Sequence, residues 1–157
     1  MQLPEGAQHV QEALRMMNSN IVVEMMPDTT ATAKDAADAV GVEVAQIGKS
    51  IVFNCESIPI VAVLPGNRRV DANLLRSATS SDSLKKPNAD WVFSSTGYRI
   101  GGVSPFALPE GVIVVVEREL NQLPLFYVAA GHPRAVARVT YSELIKYSLG
   151  IEANISM

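Results

Sequence analysis

Cysteine occurs once, at Cys55, so neither an internal disulfide nor a cysteine-based metal site can form; that usage suits a reducing cytoplasm. Histidine is almost as scarce. Only His9 and His132 are present, and a zinc site would need carboxylates to complete it. No apolar run approaches the roughly 20 residues that a bilayer-spanning helix needs, since the longest, 112–116 and 125–130, are strand-length. Residues 1–6 carry Glu5 and Pro4 where a secretory signal would have a basic patch and an apolar stretch. Charged residues are sparse at 18% against 48% hydrophobic, which excludes disorder. What is left is a chain of 157 residues expected to fold as one domain over 1–157, with its core over about 8–149.

The net charge of −3 is unevenly spread. Residues 1–59 hold three basic groups against eight acids, whereas 60–107 hold six, including Arg68, Arg69, Lys85, Lys86 and Arg99, against three. A cation-richer middle third could meet a phosphate-bearing partner, or could simply be a mixed solvated surface. The overall balance argues against tight, sequence-independent binding to long nucleic acid.

Periodicity and punctuation predict the elements. Val10, Leu14 and Met17 share one face of a helix over 8–17, and 21–25 reads as a strand. Thr32 is a good N-cap for the alanine-rich helix Ala33–Val40, which Gly41 ends. A helical turn over 43–47 then delivers Gly48 and Lys49 into a strand over 50–54. A hairpin turn over 54–57 leads to a strand over 58–64, broken by Pro65-Gly66-Asn67. Helices are expected over 71–78, Ala89–Thr96 and 141–149, with a polar loop or the start of another helix over 80–87. Strands are expected over 112–117, 125–130 and 136–139, the first two separated by Asn121-Gln122. Helix and strand do not alternate strictly, so the fold class is α/β or mixed α+β around one curved sheet.

Several catalytic signatures are missing: a phosphate-binding Gly-rich loop with Lys-Ser/Thr, a dinucleotide fingerprint, and Gly-x-Ser-x-Gly. Cys55 is followed by Glu56, which would raise the thiol's pKa rather than lower it. His9 falls on a polar helix face and reads as surface. Three features remain. Lys49, where an apolar strand begins, is either a snorkelling surface residue or a functional charge. Gly101-Gly102-Val103-Ser104-Pro105 has two glycines and a proline that biases Ser104 toward extended backbone; it is a structural turn or a row of amides for an oxyanion. Gly131-His132-Pro133-Arg134 places an imidazole at a strand exit, as a turn or as a proton-transferring group.

In order and spacing, four segments resemble the YbaK/prolyl-tRNA-synthetase-associated domain family. They are Thr32-Ala33 with its helix, Val44 to Phe53 around Lys49, Gly101 to Phe106, and Ala129-Ala130-Gly131-His132-Pro133. The resemblance covers roughly 8–149 and runs through Arg69-Val70-Asp71. It implies a mixed sheet curved into a partly closed barrel with flanking helices. It also implies a free-standing aminoacyl-tRNA deacylase, a carboxylic ester hydrolase acting on Cys- or Ala-charged tRNA for proline. No cofactor and no metal are implied. The implied partners are the acceptor end of mischarged tRNA and further a synthetase or elongation factor, with neither membrane nor DNA. Lys49 matches the family's essential lysine, and Gly101, Gly102, Val103, Ser104 and Pro105 match its glycine-x-x-x-proline substrate loop. Ser50, Gly131 and His132 are further candidate pocket residues. The segment 22–26 is aliphatic and thioether-rich where several relatives place aromatics near the pocket, which leaves the amino acid open.

The residues suit that chemistry. An aminoacyl ester is already activated, so oriented water and a stabilised oxyanion suffice, and preformed amides stabilise an oxyanion without reorganising. Competing readings are an RNA-binding or regulatory module on the same fold and a hydrolase of another small acyl ester.

Overall fold

The computed structural model describes residues 2–157. Seven strands form one mixed sheet: β1 (Val23–Met25), β2 (Ile47–Cys55), β3 (Ile58–Pro65), β4 (Ile113–Glu117), β5 (Phe126–Ala129), β6 (Ala135–Val139) and β7 (Ile151–Ala153). Their order is β1-β6-β5-β2-β3-β4-β7. The helices are α1 (Glu5–Met16), α2 (Ala33–Val40), α3 (Ala72–Thr79), α4 (Ala89–Thr96) and α5 (Tyr141–Ser148). The expected mixed sheet with flanking helices is present. It is open rather than a partly closed barrel, because β1 and β7 lie at opposite edges and do not pair.

Local chemistry explains the helix starts. Thr32 Oγ1 accepts from the Asp35 N–H at 3.0 Å, Asp71 accepts from Asn73 and Leu74, and Asn88 accepts from Trp91. Thr140 and Glu143 form a capping box at α5. Gly41 and Gly97 end α2 and α4 in the left-handed region. Glu56 and Ser57, at φ +49° and +76°, make the hairpin turn between β2 and β3, which pairs Lys49 with Leu64.

The middle of β3, from Ile60 to Leu64, is wholly buried because the sheet is covered on both faces. Val61 and Val63 join a core with Val10 and Leu14 of α1 and Leu144 of α5; Ile60 and Ala62 join another with Leu75 of α3. That two-sided burial is why β3 reads as a continuous apolar run rather than an alternating one. Met17, expected on the buried face, is 39% exposed, since α1 ends at Met16. Asn121 and Gln122 lie in a short 3-10 turn, Arg118–Gln122. β7 was not predicted; it exists through parallel pairing with β4, its residues being mostly exposed.

The C-terminal segment is held by one carboxylate. Glu117, 3% exposed at the end of β4, accepts from the N–H groups of Glu119, Ile155 and Ser156 and from the Ser156 hydroxyl, at 2.7–2.9 Å. Burial alone would raise its pKa, but these four hydrogen bonds hold it below the usual glutamate range. A depressed native pKa contributes stability above the unfolded value near 4.3, and the contribution is lost as pH falls through the native value. Glu117→Gln should therefore cost about 2 kcal/mol or more at neutral pH. Urea titrations at a series of pH values should show the difference between wild type and variant shrinking steadily below about pH 4.

Candidate active site

β2 leaves its 3-10 turn, Val44–Gln46, in parallel register with β5, but only Ile47 and Gly48 pair, with Tyr127 and Val128. Gly48 permits this contact, since a Cβ there would lie 3.1 Å from Val128 Cγ1 and 3.2 Å from the Phe126 ring. From Lys49 onward β2 pairs with β3, and near its far end Asn54 also bridges to Lys85. Where β2 and β5 stop pairing lies a cavity of about 500 Å³, in the usual size range for small-molecule sites. Its walls include Lys49, Ser50, Gly101, Val103 and Tyr127, with Ala31 and Ala33 at the start of α2.

Lys49 is half-buried and its Nζ donates to the Gly66 carbonyl at 3.2 Å. Burial and the nearby Arg69 guanidinium both push the ammonium below the ordinary lysine value. Ser50 Oγ is buried and has no hydrogen-bond partner among the described residues. An unpaired buried hydroxyl costs about 1–3 kcal/mol, so this one is suited to a ligand's polar atom.

The glycine loop closes the cavity from another side. Gly101, at φ +92°, and Val103 line it, and among the described residues their amides donate to no other group. The Gly102 amide is committed to the Arg99 carbonyl at 3.0 Å, and its own carbonyl accepts from the Gly131 N–H at 3.0 Å. Ser104 and Pro105 are buried and line neither this cavity nor its neighbour. Ser104 Oγ accepts from the Phe106 N–H at 3.1 Å and lies beside the Tyr98 hydroxyl.

Gly102, Gly131 and His132 line a second cleft, so the structure brings Lys49, Ser50, Gly101 and Val103 together and sets the other three across a shared wall. His132 Nδ1 accepts from the Arg134 N–H at 3.1 Å. His9 is exposed, as expected, with Nε2 donating to the Ala107 carbonyl at 3.2 Å. Cys55 is buried at the far end of β2, outside both spaces. The segment 22–26 lies at the β1 edge and is not among the residues that line the cavity. Sequence reasoning missed Ala31, Tyr127, Ile100 and the Gly66 carbonyl. The last was within reach, because a turn centred on Glu56-Ser57 sets Gly48 opposite Pro65.

A cation, a free hydroxyl and two free amides around an apolar space can bind a small acyl group and stabilise negative charge on its carbonyl oxygen. The chain matches the aminoacyl-tRNA editing domain over residues 27–147. It is 29% identical over 101 residues to the "Putative Cys-tRNA(Pro)/Cys-tRNA(Cys) deacylase EbsC" of Enterococcus faecalis, covering 64% of this chain and 62% of that one. It is 26% identical over 116 residues to a proline–tRNA ligase of Streptococcus sanguinis, covering 74% of this chain but 19% of the ligase. A crystal structure of "a putative trans-editing enzyme for prolyl tRNA synthetase" superposes with a TM-score of 0.91 at 32% identity, over 99% of both chains.

The shared wall depends on absent side chains. A Cβ on Gly131, at φ +91°, would lie 2.3 Å from the Gly6 carbonyl oxygen, whereas one on Gly111, at φ +95°, would meet nothing within 4 Å. Both alanine variants carry the left-handed strain of about 1–2 kcal/mol; only Gly131→Ala adds an overpacking cost of about 1–3 kcal/mol. Thermal denaturation should place Gly131→Ala well below Gly111→Ala. Equal melting temperatures would mean that this contact yields without cost.

Proposed function

The chain belongs to the aminoacyl-tRNA editing domain family, and from that premise we propose that it is a trans-editing deacylase hydrolysing Cys- or Ala-charged tRNA for proline. One observation carries this reading: Lys49, the free Ser50 hydroxyl and the uncommitted amides of Gly101 and Val103 converge on one small, largely apolar space. Unpaired amides beside a cation suit a carbonyl oxygen that gains negative charge, which a pure binding module does not need.

In the proposed reaction the amino-acid side chain enters the cavity against the alanines and the β5 wall. The ester carbonyl faces Gly101 and Val103. Water adds to that carbon, its proton passing to solvent or to a group on the substrate. The tetrahedral oxyanion accepts from the two amides and is balanced by the Lys49 ammonium. Collapse breaks the bond to the ribose oxygen, which takes a proton back from solvent or from that substrate group, and releases free amino acid and intact tRNA. A cavity can separate side chains differing by one methylene by only about 1–3 kcal/mol, which is the reason a second hydrolytic sieve is useful after synthetase selection. Action on tRNA places the protein in the cytoplasm, with a synthetase or elongation factor as the source of substrate. Gly102, Ser104, Pro105 and Gly131 serve this site by holding the loop.

Incubation with tRNAs charged with Ala, Cys, Ser and Pro should show selective loss of ester from one or two of the first three. A flat result across the panel would favour an RNA-binding role. Lys49→Ala should fold normally and lose on the order of 10²-fold in deacylation, with poor rescue by Lys49→Arg, whose planar fork does not replace a point charge. Because the charged form is the active one and its pKa is lowered, enzymatic deacylation corrected for spontaneous hydrolysis should fall at a pH below that of an ordinary lysine, near 10.4. Arg69→Ala should move that fall to higher pH.

A further inference from the structure

Gly101 and Val103 present their amides from a loop with little backbone support of its own. Its near limb is held by two backbone hydrogen bonds, from the Gly102 N–H to the Arg99 carbonyl and from the Gly131 N–H to the Gly102 carbonyl. From Val103 to Ala107, among the described residues, no backbone group bonds to another backbone group. Ala107 sits at φ +56°, a conformation uncommon outside glycine. Buried backbone groups without such partners need side chains instead.

Tyr98 supplies the main one. It stands at the start of the loop, 2% exposed, and its hydroxyl donates to the Phe106 carbonyl eight positions on, at 2.6 Å. The Ser104 hydroxyl lies beside it and accepts from the Phe106 N–H at 3.1 Å. Both polar backbone groups of Phe106 are thus taken by side chains, and Phe106 itself is wholly buried. The near end is anchored as well. Thr96 Oγ1 accepts from the Tyr98 N–H at 3.1 Å and donates to the Val92 carbonyl of α4 at 2.7 Å. Support therefore runs from α4 through Tyr98 to the far limb of the loop. Tyr98 borders the second cleft, but its hydroxyl is committed to Phe106. Burial pushes the phenol well above the ordinary tyrosine range, so it keeps its proton and stays a donor across neutral pH.

We propose that Tyr98 is a positioning residue for ester hydrolysis: it ties the two ends of the glycine loop together and so holds the Gly101 and Val103 amides where the oxyanion forms. The inference rests on the deacylase reading above, and deepens it by assigning the preorganisation of those amides to a residue outside the cavity wall. Amides stabilise developing charge most when they need not move during the reaction. A loosened loop should therefore cost transition-state stabilisation, which is read in kcat, while ground-state binding in the cavity is kept.

Tyr98→Phe keeps the buried ring and removes one hydroxyl. It should lower kcat for mischarged tRNA on the order of tenfold and leave KM within about twofold. Tyr141→Phe is the control. It also deletes a tyrosine hydroxyl, one that donates to Glu152 of β7 at 2.9 Å, and it should lower the melting temperature without changing kcat. NMR order parameters read the loop without substrate: those of the Gly101 and Val103 amides should fall in Tyr98→Phe and hold in Tyr141→Phe. Ser104→Ala should give a smaller effect of the same kind, and should add little once Tyr98→Phe is in place. Should Tyr98→Phe not fold, Ser104→Ala carries the same readouts. Equal kcat losses in the two tyrosine variants, a rise in KM with kcat intact, or order parameters unmoved by Tyr98→Phe would overturn the proposal. If wild type deacylates no tRNA, the functional reading fails, and the order parameters alone decide whether Tyr98 holds the loop.

Discussion

Three segments far apart in the chain touch backbone to backbone at Gly6, Gly102 and Gly131, and the rest of the site depends on that contact. A Cβ on Gly6 would lie 2.0 Å from the Gly131 carbonyl oxygen, and one on Gly102 would lie 2.9 Å from the His132 nitrogen. The Gly131 N–H donates to the Gly102 carbonyl, and the Pro133 carbonyl accepts from both the N–H and the hydroxyl of Thr30. The turn between β5 and β6 is thus the meeting point for the start of α1, the glycine loop and the approach to α2. Small residues are required there for proximity. Proximity in turn makes one strip of backbone serve as the wall of two neighbouring spaces.

The sheet supplies the other half of the geometry. β3 is buried on both faces and pairs along its length with β2, so it is a rigid rail for Lys49. β5 follows β2 for two residues only before the pairing ends. A short parallel ladder is unusual because it forgoes hydrogen bonds that a longer one would make. Here its early end leaves room for a cavity beside a strand paired along its whole length with β3. A side chain on such a strand is held more closely than one on a loop.

Two ionisable groups show how environment divides structure from chemistry. Glu117 is almost fully buried and receives four hydrogen bonds, so its charge is satisfied and it works as a clamp on the C-terminal segment. Lys49 has a single carbonyl partner and a like charge nearby, so its charge is held at a cost and is available to a ligand. A perturbed group that lines a cleft is a candidate functional residue, whereas structural networks perturb groups as well. Ser50, with a buried hydroxyl and no partner, belongs with Lys49.

Much of this was legible in the sequence where local chemistry decides. The cap at Thr32, the stop at Gly41 and the hairpin turn within 54–57 each follow from residues acting on backbone a few positions away, whereas Asp71, expected inside its helix, caps it. The identity of Lys49 and the glycine loop as candidates was equally visible, from residue type and order. Residues 22–26 could not be assigned to the sheet edge, nor 151–153 to a strand, because both placements depend on distant partners, β6 and β4. Nor could local pattern divide Gly101 from Gly102, or show Ser104 buried beneath the loop it was expected to serve. Alternation of neighbours on a backbone becomes a partition between two spaces only when other segments pack on each side, and that packing is a property of the tertiary structure alone.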